Sequence, residues 1–518
     1  MAKFTFRQFA AALALCATLS ACGGGGSSGD SPAPTVSGLA WSGFARDAQH
    51  SAQSTVAAQA LTRTHWQTPV DKAPQYASDG SLPIHFGSPV ISAHNTVLVP
   101  VKTGSDGGFR VEARAGVDGA LIWSIDSDYL LPPHIWTPSF NIALTRDNRT
   151  YLPGAGGKLL YRDDVDAATG NLSSAVFYGA ETYAAAKTVY DANVLINTPL
   201  TVDAQGNVYF GFSVLGATPV GLSSGIARIG VDGKGSWIAA TAAAADPAMG
   251  RVAMNAGPAL SPDEKTLYIV ATSDVPLTVR ATGSLIALDA ATLAPKSRVV
   301  LRDPATSAPA WVNSNSSASP SVGADGDVYY GVLESNPPAH NLRGWLLHYD
   351  ATLAVVKAPA AFGWDTTASA VAASIVPSYT GSSAYLLAIK YNNYGGIGTG
   401  DGKNRMAIVD PGSVQTDTVS GVPVMKEILT ILGPTPEDDF PGGVREWCIN
   451  SAAVDPLTRS VLVNSEDGML YRWNLVTNQL GQQIRLGAGI GNVYTPTAIG
   501  PDGTVYAINN AILYAVGN

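Results

Sequence analysis

A short phrase recurs eight times along this chain, and no other feature restricts the possible folds so strongly. Each copy has a small or polar residue, usually a proline, and then alternating apolar residues. The first four begin at Ser88-Pro89-Val90-Ile91, Thr137-Pro138-Ser139-Phe140, Thr198-Pro199-Leu200-Thr201 and Gly257-Pro258-Ala259-Leu260. The rest begin at Ser319-Pro320-Ser321-Val322, Val376-Pro377-Ser378-Tyr379, Asn450-Ser451-Ala452-Ala453 and Thr495-Pro496-Thr497-Ala498. Successive copies lie 45 to 74 residues apart.

Most copies lead into a tight turn and a tyrosine-bearing strand. Examples are Asp203-Ala204-Gln205-Gly206-Asn207-Val208-Tyr209, Asp325-Gly326-Asp327-Val328-Tyr329 and Asp502-Gly503-Thr504-Val505-Tyr506. Asp-Gly supplies the positive φ that a tight hairpin needs. A second hairpin often follows, as at Asp118-Gly119 before Trp123. A unit of about 60 residues thus makes four strands, and a lone four-stranded sheet cannot bury both faces. Stacked around an axis, eight such sheets bury one another. The expected fold is therefore all-β, an eight-bladed β-propeller of four-stranded antiparallel blades. Two tandem β-sandwiches are the rival, and they do not account for one phrase running unbroken through both halves. The last repeat offers only three strands before Asn518, so Thr64-His65-Trp66-Gln67-Thr68 is expected to close it from the N-terminal side.

The first residues have a different character. Lys3 and Arg7 precede an apolar run from Phe9 to Leu19, which is too short to span a bilayer as a helix. Leu19-Ser20-Ala21-Cys22 resembles a bacterial lipobox, in which Cys22 is lipidated and becomes the mature N-terminus. Gly23 follows with no aspartate, which by that resemblance implies the outer membrane. Residues 23–38 are rich in Gly and Ser and read as flexible coil spanning roughly 20 Å. The expected organisation is a lipoprotein signal peptide over 1–21, a tether over 22–40 and the propeller over 41–518. The expected location is the bacterial cell envelope, with the membrane touched through the N-terminal lipid only.

Composition removes several function classes. Lys and Arg number 31 against 40 Asp and Glu, so the chain has no basic footprint for nucleic acid. Without Cys16 and Cys22, Cys448 is the only thiol left, so no internal disulfide can form and no cysteine pair exists for structural zinc. No Cys-x-x-Cys-His occurs, so covalent c-type haem is excluded.

The opening Trp41-Ser42-Gly43-Phe44-Ala45-Arg46-Asp47-Ala48-Gln49-His50-Ser51 resembles the segment that starts many bacterial PQQ-like propeller proteins. The repeat resembles that family too, in its Asp-x-x-Thr-Gly turn and in strand-end tryptophans such as Trp66, Trp123 and Trp237. The likeness covers residues 41–518. It implies one of two functions, a quinone-dependent alcohol dehydrogenase or a non-catalytic binding propeller. Such dehydrogenases have an adjacent Cys-Cys disulfide and a calcium or lanthanide site. This chain has no Cys-Cys, and no equivalent of the Glu/Asn/Asp metal set stands out. No cofactor and no metal site are therefore expected, PQQ included.

In a propeller, the residues just before each innermost strand converge at the mouth of the central channel. The candidate ligand-binding set there is His85, His134, Trp136, Asn197, Asn255, Asn315, Arg445, Glu446, Trp447 and Tyr494. Polar groups and aromatics in one concavity suit a hydroxyl-rich or flat ligand. The leading expectation is a monomeric module that binds an envelope protein, a carbohydrate or a small molecule without turnover. The alternative is an enzyme at the same mouth, acting on a polysaccharide or as an atypical quinoprotein. In that case His85 or His134 would accept a proton, Arg445 would hold an anion, Glu446 would serve as acid or orient a His, and Trp136 and Trp447 would stack on the ligand. Cys448 is expected to be a buried, inert thiol.

Overall fold

The computed structural model describes residues 38–78, 80–312, 316–487 and 496–518. The leader, Cys22 and most of the tether lie outside these residues, as do Asn315 and Tyr494.

Seven of the eight repeat phrases open an innermost strand of only two or three residues, such as Val90–Ile91, Ala143–Leu144 and Ala259–Leu260. The preceding proline has a fixed φ and no N–H, which suits a strand that must begin abruptly at a crowded axis. Eight antiparallel sheets result, each ordered from the axis outward. Blade 1 is representative, with strands Val90–Ile91, Thr96–Gly104, Gly107–Ala115 and Leu121–Ser127. The turn glycines expected from Asp-Gly do take positive φ, with Gly326 at 90° and Gly503 at 86°. Neighbouring aspartates brace these turns, as where the Asp327 N–H donates to Asp325 Oδ1 at 3.0 Å.

The recurrent tyrosine has two roles. Tyr209, Tyr268, Tyr329 and Tyr506 are fully buried between blades, each burial contributing roughly 1.5–3 kcal/mol. Some also cross-link. Tyr268 donates to the Ala351 carbonyl of blade 5 at 2.7 Å, and the Tyr329 and Tyr385 hydroxyls meet at 2.6 Å between blades 5 and 6.

Closure follows the expected route. Arg63–Pro69 pairs antiparallel with Ile512–Gly517, with Trp66 opposite Ala515. Trp66 Nε1 donates to the Gly116 carbonyl at 2.8 Å, tying blade 8 to blade 1.

Blade 6 departs from expectation. Its innermost strand is Ser369–Ala372, while Val376 to Tyr379 lie in the following turn. The true strand start, Thr367-Ala368-Ser369, has no proline, and the expected phrase was drawn to Pro377 in the turn. The loop leading into blade 6 is consequently Asp365-Thr366-Thr367. Short helices at Ala180–Ala185, Lys187–Asn193 and Ala240–Ala243 were also not foreseen.

Residues 38–59 form the second unforeseen feature. They run around the inside of the ring and pair with the exposed inner edges of the blades. The amides of Leu144, Leu260, Val322, Ala370 and Val454 donate to the carbonyls of Ser42, Ala48, Gln49, Ser51 and Ala52 at 2.7 to 3.0 Å. Trp41 and Ile91 exchange two bonds of 2.9 Å. The curl needs positive φ at Ala45, Arg46, His50 and Ala52, which the surrounding bonds hold in place. His50 is buried, with Nδ1 at 2.6 Å from the Pro320 carbonyl and its ring edge-on to Phe44. Burial lowers its pKa to about 4. This end of the channel is plugged.

Candidate functional site

The opposite end is built from the loops that lead into the innermost strands. A belt of hydrogen bonds joins them. Ser88 N–H donates to Asn141 Oδ1 at 2.9 Å, Ser139 N–H to Asn255 Oδ1 at 3.0 Å, and Asn255 N–H to the Asn197 carbonyl at 3.0 Å. Gly257 N–H donates to Ser319 Oγ and Ser319 N–H to Thr367 Oγ1, each at 2.9 Å. Asn450 Nδ2 reaches Ser317 Oγ at 2.7 Å, bridging blades 7 and 5. These are short polar side chains because the axis leaves no room for longer ones. Asn197 and Asn255 belong to this belt, where their amides fix the loops; Asn197 also borders a cavity of about 270 Å³ between blades 3 and 4.

The other candidates fall into two groups. On the side of blades 1 and 2, His85 and Trp136 stack at 5.7 Å with ring planes 25° apart. His134 is half-buried, with Nδ1 at 2.7 Å from the Pro132 carbonyl. On the side of blades 6 and 7 lie Arg445, Glu446 and Trp447. Arg445 pairs with the exposed Asp438 at 2.5 Å. Trp447 is fully buried against Tyr471, so it packs the core and offers no face for a ligand. Its neighbours do the opposite. In an extended stretch, residues i and i+2 share a side, and Glu446 and Cys448 meet Glu466 with their ligand-type atoms all within 4.8 Å.

Glu466 stands in the loop between the second and third strands of blade 7, so two loops of one blade supply the three groups. The neighbouring blade holds them in place. Asn392 of blade 6 accepts from Trp447 N–H at 3.2 Å, donates to the Trp447 carbonyl at 3.2 Å and approaches Glu446 Oε2 at 3.4 Å. Lys390, itself buried, supplies a positive charge. Burial pushes the Glu446 carboxyl up, and Lys390 opposes the shift. Burial, and then the charge of Glu446, push Glu466 well above the usual carboxylate range. Burial and both carboxylates push the Cys448 thiol well up, and the thiol is buried as expected. Tyr394 is likewise raised, by burial and then by Glu446.

Of this cluster, Glu446 alone was among the candidate ligand-binding residues, with Cys448 set aside as inert. Glu466 was hidden in Ser465-Glu466-Asp467-Gly468, which reads as an ordinary polar turn. Lys390 left a usable signal, a lone charge ending the apolar strand Tyr385–Tyr391.

Chemically the arrangement is a desolvated pair of acids beside a thiol, with fewer cations than acidic groups around it. It can share protons internally, or it can give them up to a positively charged ligand.

No family model and no curated protein matches the chain. Solved structures do. A europium-containing methanol dehydrogenase superposes with a TM-score of 0.54 at 10% identity, covering 90% of this chain and 89% of its own. The quinohemoprotein alcohol dehydrogenase from Comamonas testosteroni gives a TM-score of 0.52 at 14% identity, covering 92% of this chain and 77% of its own. The PQQ-like likeness read from the sequence is thus borne out at the level of the fold.

Proposed function

We propose that this chain is an envelope-tethered propeller that captures a ligand on the blade 6 and 7 side of its mouth and does not turn it over. The observation carrying the reading is the cluster of half-buried Glu446 and Glu466 around the buried Cys448. Burying two carboxyls side by side costs stability, and such costs gather at sites that bind.

The residues present do not fit a pyrroloquinoline quinone. That cofactor is itself a polycarboxylate and would meet these acids, and the chain has no adjacent cysteine pair of the kind that the quinone enzymes carry. No step is derived through a quinone. At the other end of the channel, the described residues are bonded to the propeller from Gly38 onward. Gly38 N–H donates to the Pro501 carbonyl at 3.1 Å, in the turn after the innermost strand of blade 8.

The fold likeness to two alcohol-oxidising enzymes favours the second reading, an enzyme at the same mouth. One experiment separates the two. The full chain, purified from its own envelope, is weighed by native mass spectrometry and then assayed for alcohol-dependent dye reduction with added pyrroloquinoline quinone and Ca²⁺. The proposal expects a bound mass that is not a quinone and no dye reduction above the alcohol-free blank. Alcohol-dependent reduction would establish the enzyme instead.

A further inference from the structure

We propose that Glu446, Cys448 and Glu466 form a site for a thiophilic divalent cation of the zinc type. The inference rests on the reading that the blade 6 and 7 side of the mouth is where this chain binds its ligand, and it names that ligand's chemistry.

Three features carry it. The first is the donor set. Two carboxylate oxygens and one sulfur converge within 4.8 Å. Around a tetrahedral zinc, sulfur and oxygen ligands stand about 3.5 Å apart, given metal bonds of about 2.3 and 2.0 Å. Small side-chain rotations close the difference. The second is preorganisation. Glu446 and Cys448 flank a fully buried tryptophan whose peptide groups are clamped on both sides by Asn392, so their spacing is fixed before any ion arrives. The third is the state of Glu466. Its half-buried carboxyl is turned into the cluster, where it meets the Cys448 thiol and a second carboxyl and shares with them the charge of Lys390. One lysine beside two carboxyls and a thiol leaves the cluster short of positive charge, which a bound cation would supply.

The sulfur decides the class of ion. Calcium and lanthanides are hard cations that take oxygen ligands, and a thiolate suits zinc or cobalt. Three protein ligands leave a fourth tetrahedral position, on the mouth side, for water or for a ligand's donor atom. A metal takes carboxylates and a thiolate as ligands, so affinity would rise with pH.

Cobalt(II) reports on sulfur ligation directly. The full chain is dialysed against chelator and titrated with CoCl₂ at pH 7.5. The expected result is one equivalent bound, with a thiolate-to-cobalt charge-transfer band in the near ultraviolet, displaced by one equivalent of Zn²⁺. Cys448→Ser should abolish the band. Glu446→Gln and Glu466→Gln should each weaken binding by about tenfold or more. His94→Ala, which changes an exposed histidine on blade 1, should bind as the parent does. Circular dichroism and melting curves confirm that each variant folds. No band in the parent, or a band that survives Cys448→Ser, overturns the site and leaves the three groups as a proton-sharing network. A parent that binds no cobalt but still holds a non-quinone mass from its envelope loses the metal and keeps the binding function.

Discussion

The two ends of the channel solve the same problem differently. At the plugged end, the inner edges of the blades present backbone amides to the axis, and residues 41–54 supply a carbonyl for one amide after another. The one ionisable ring buried there, His50, is kept neutral and has a carbonyl partner. At the mouth, side chains do this work. The belt of Ser, Thr and Asn satisfies the loops, but the half-buried Glu446 and Glu466 and the buried Cys448 have, among the described residues, fewer cations than acids around them. The difference teaches where to look for function in a ring of near-equivalent blades. A closed end spends its polar groups on itself, and an end that binds keeps some unspent.

Four measurements can break or sharpen that contrast. The largest effect belongs to the plug. Trp41→Ala removes a side chain that is 1% exposed and should cost about 3–5 kcal/mol in urea unfolding, whereas a plug that merely drapes over the channel would lose less than about 1 kcal/mol.

Next comes acid. The folded pKa of His50, about 4, is lower than its unfolded value of 6.5, so the unfolded chain binds the extra proton between those limits. That part of the stability is complete above pH 6.5 and is lost as pH falls toward 4, by about 3 kcal/mol in all. Denaturant midpoints of the parent and His50→Gln, compared from pH 7 to pH 4, should converge as the parent's advantage disappears. Parallel curves would contradict the assignment.

The mouth should respond in the opposite sense. The folded pKa of Glu466 is raised, so its contribution is fully present at low pH and is lost as pH rises through the folded value. Glu466→Gln should therefore unfold like the parent at pH 4 and be more stable than the parent at pH 8. A variant less stable than the parent at pH 8 would mean that the carboxylate is neutralised in the native protein. The smallest effect is that of Arg445→Ala. Its partner Asp438 is largely exposed, so the loss should be below about 1 kcal/mol, read as a shift in the urea midpoint.

The architecture was legible in the sequence because a repeat records it many times over. The turn glycines, the buried tyrosines and the closing strand around Trp66 each follow from local chemistry plus the need to close a ring. The start of blade 6 was misplaced because Pro377 imitates a signal that Thr367-Ala368-Ser369 lacks. The plug was invisible for a different reason. Its bonds are backbone to backbone, and Trp41 to Ser51 has no strand alternation to announce them. The site was half legible. Spacing from the repeat located Glu446, but Glu466, Asn392 and Lys390 reach the mouth from loops and strand ends that the repeat phrase does not mark. Trp447 shows the limit of reading by residue type. Its position was right, yet the alternation that turns Glu446 and Cys448 toward the mouth turns the indole into the core.

The central claim is that the mouth, unlike the plug, holds two neighbouring half-buried acids whose carboxyls are pushed toward the protonated form, so that a ligand arriving there displaces protons. Infrared difference spectroscopy of the parent against Glu446→Gln and Glu466→Gln at pH 7 tests this directly. The account predicts that a protonated-carboxyl C=O band disappears in at least one variant. Loss of carboxylate bands alone, in both variants, would contradict it.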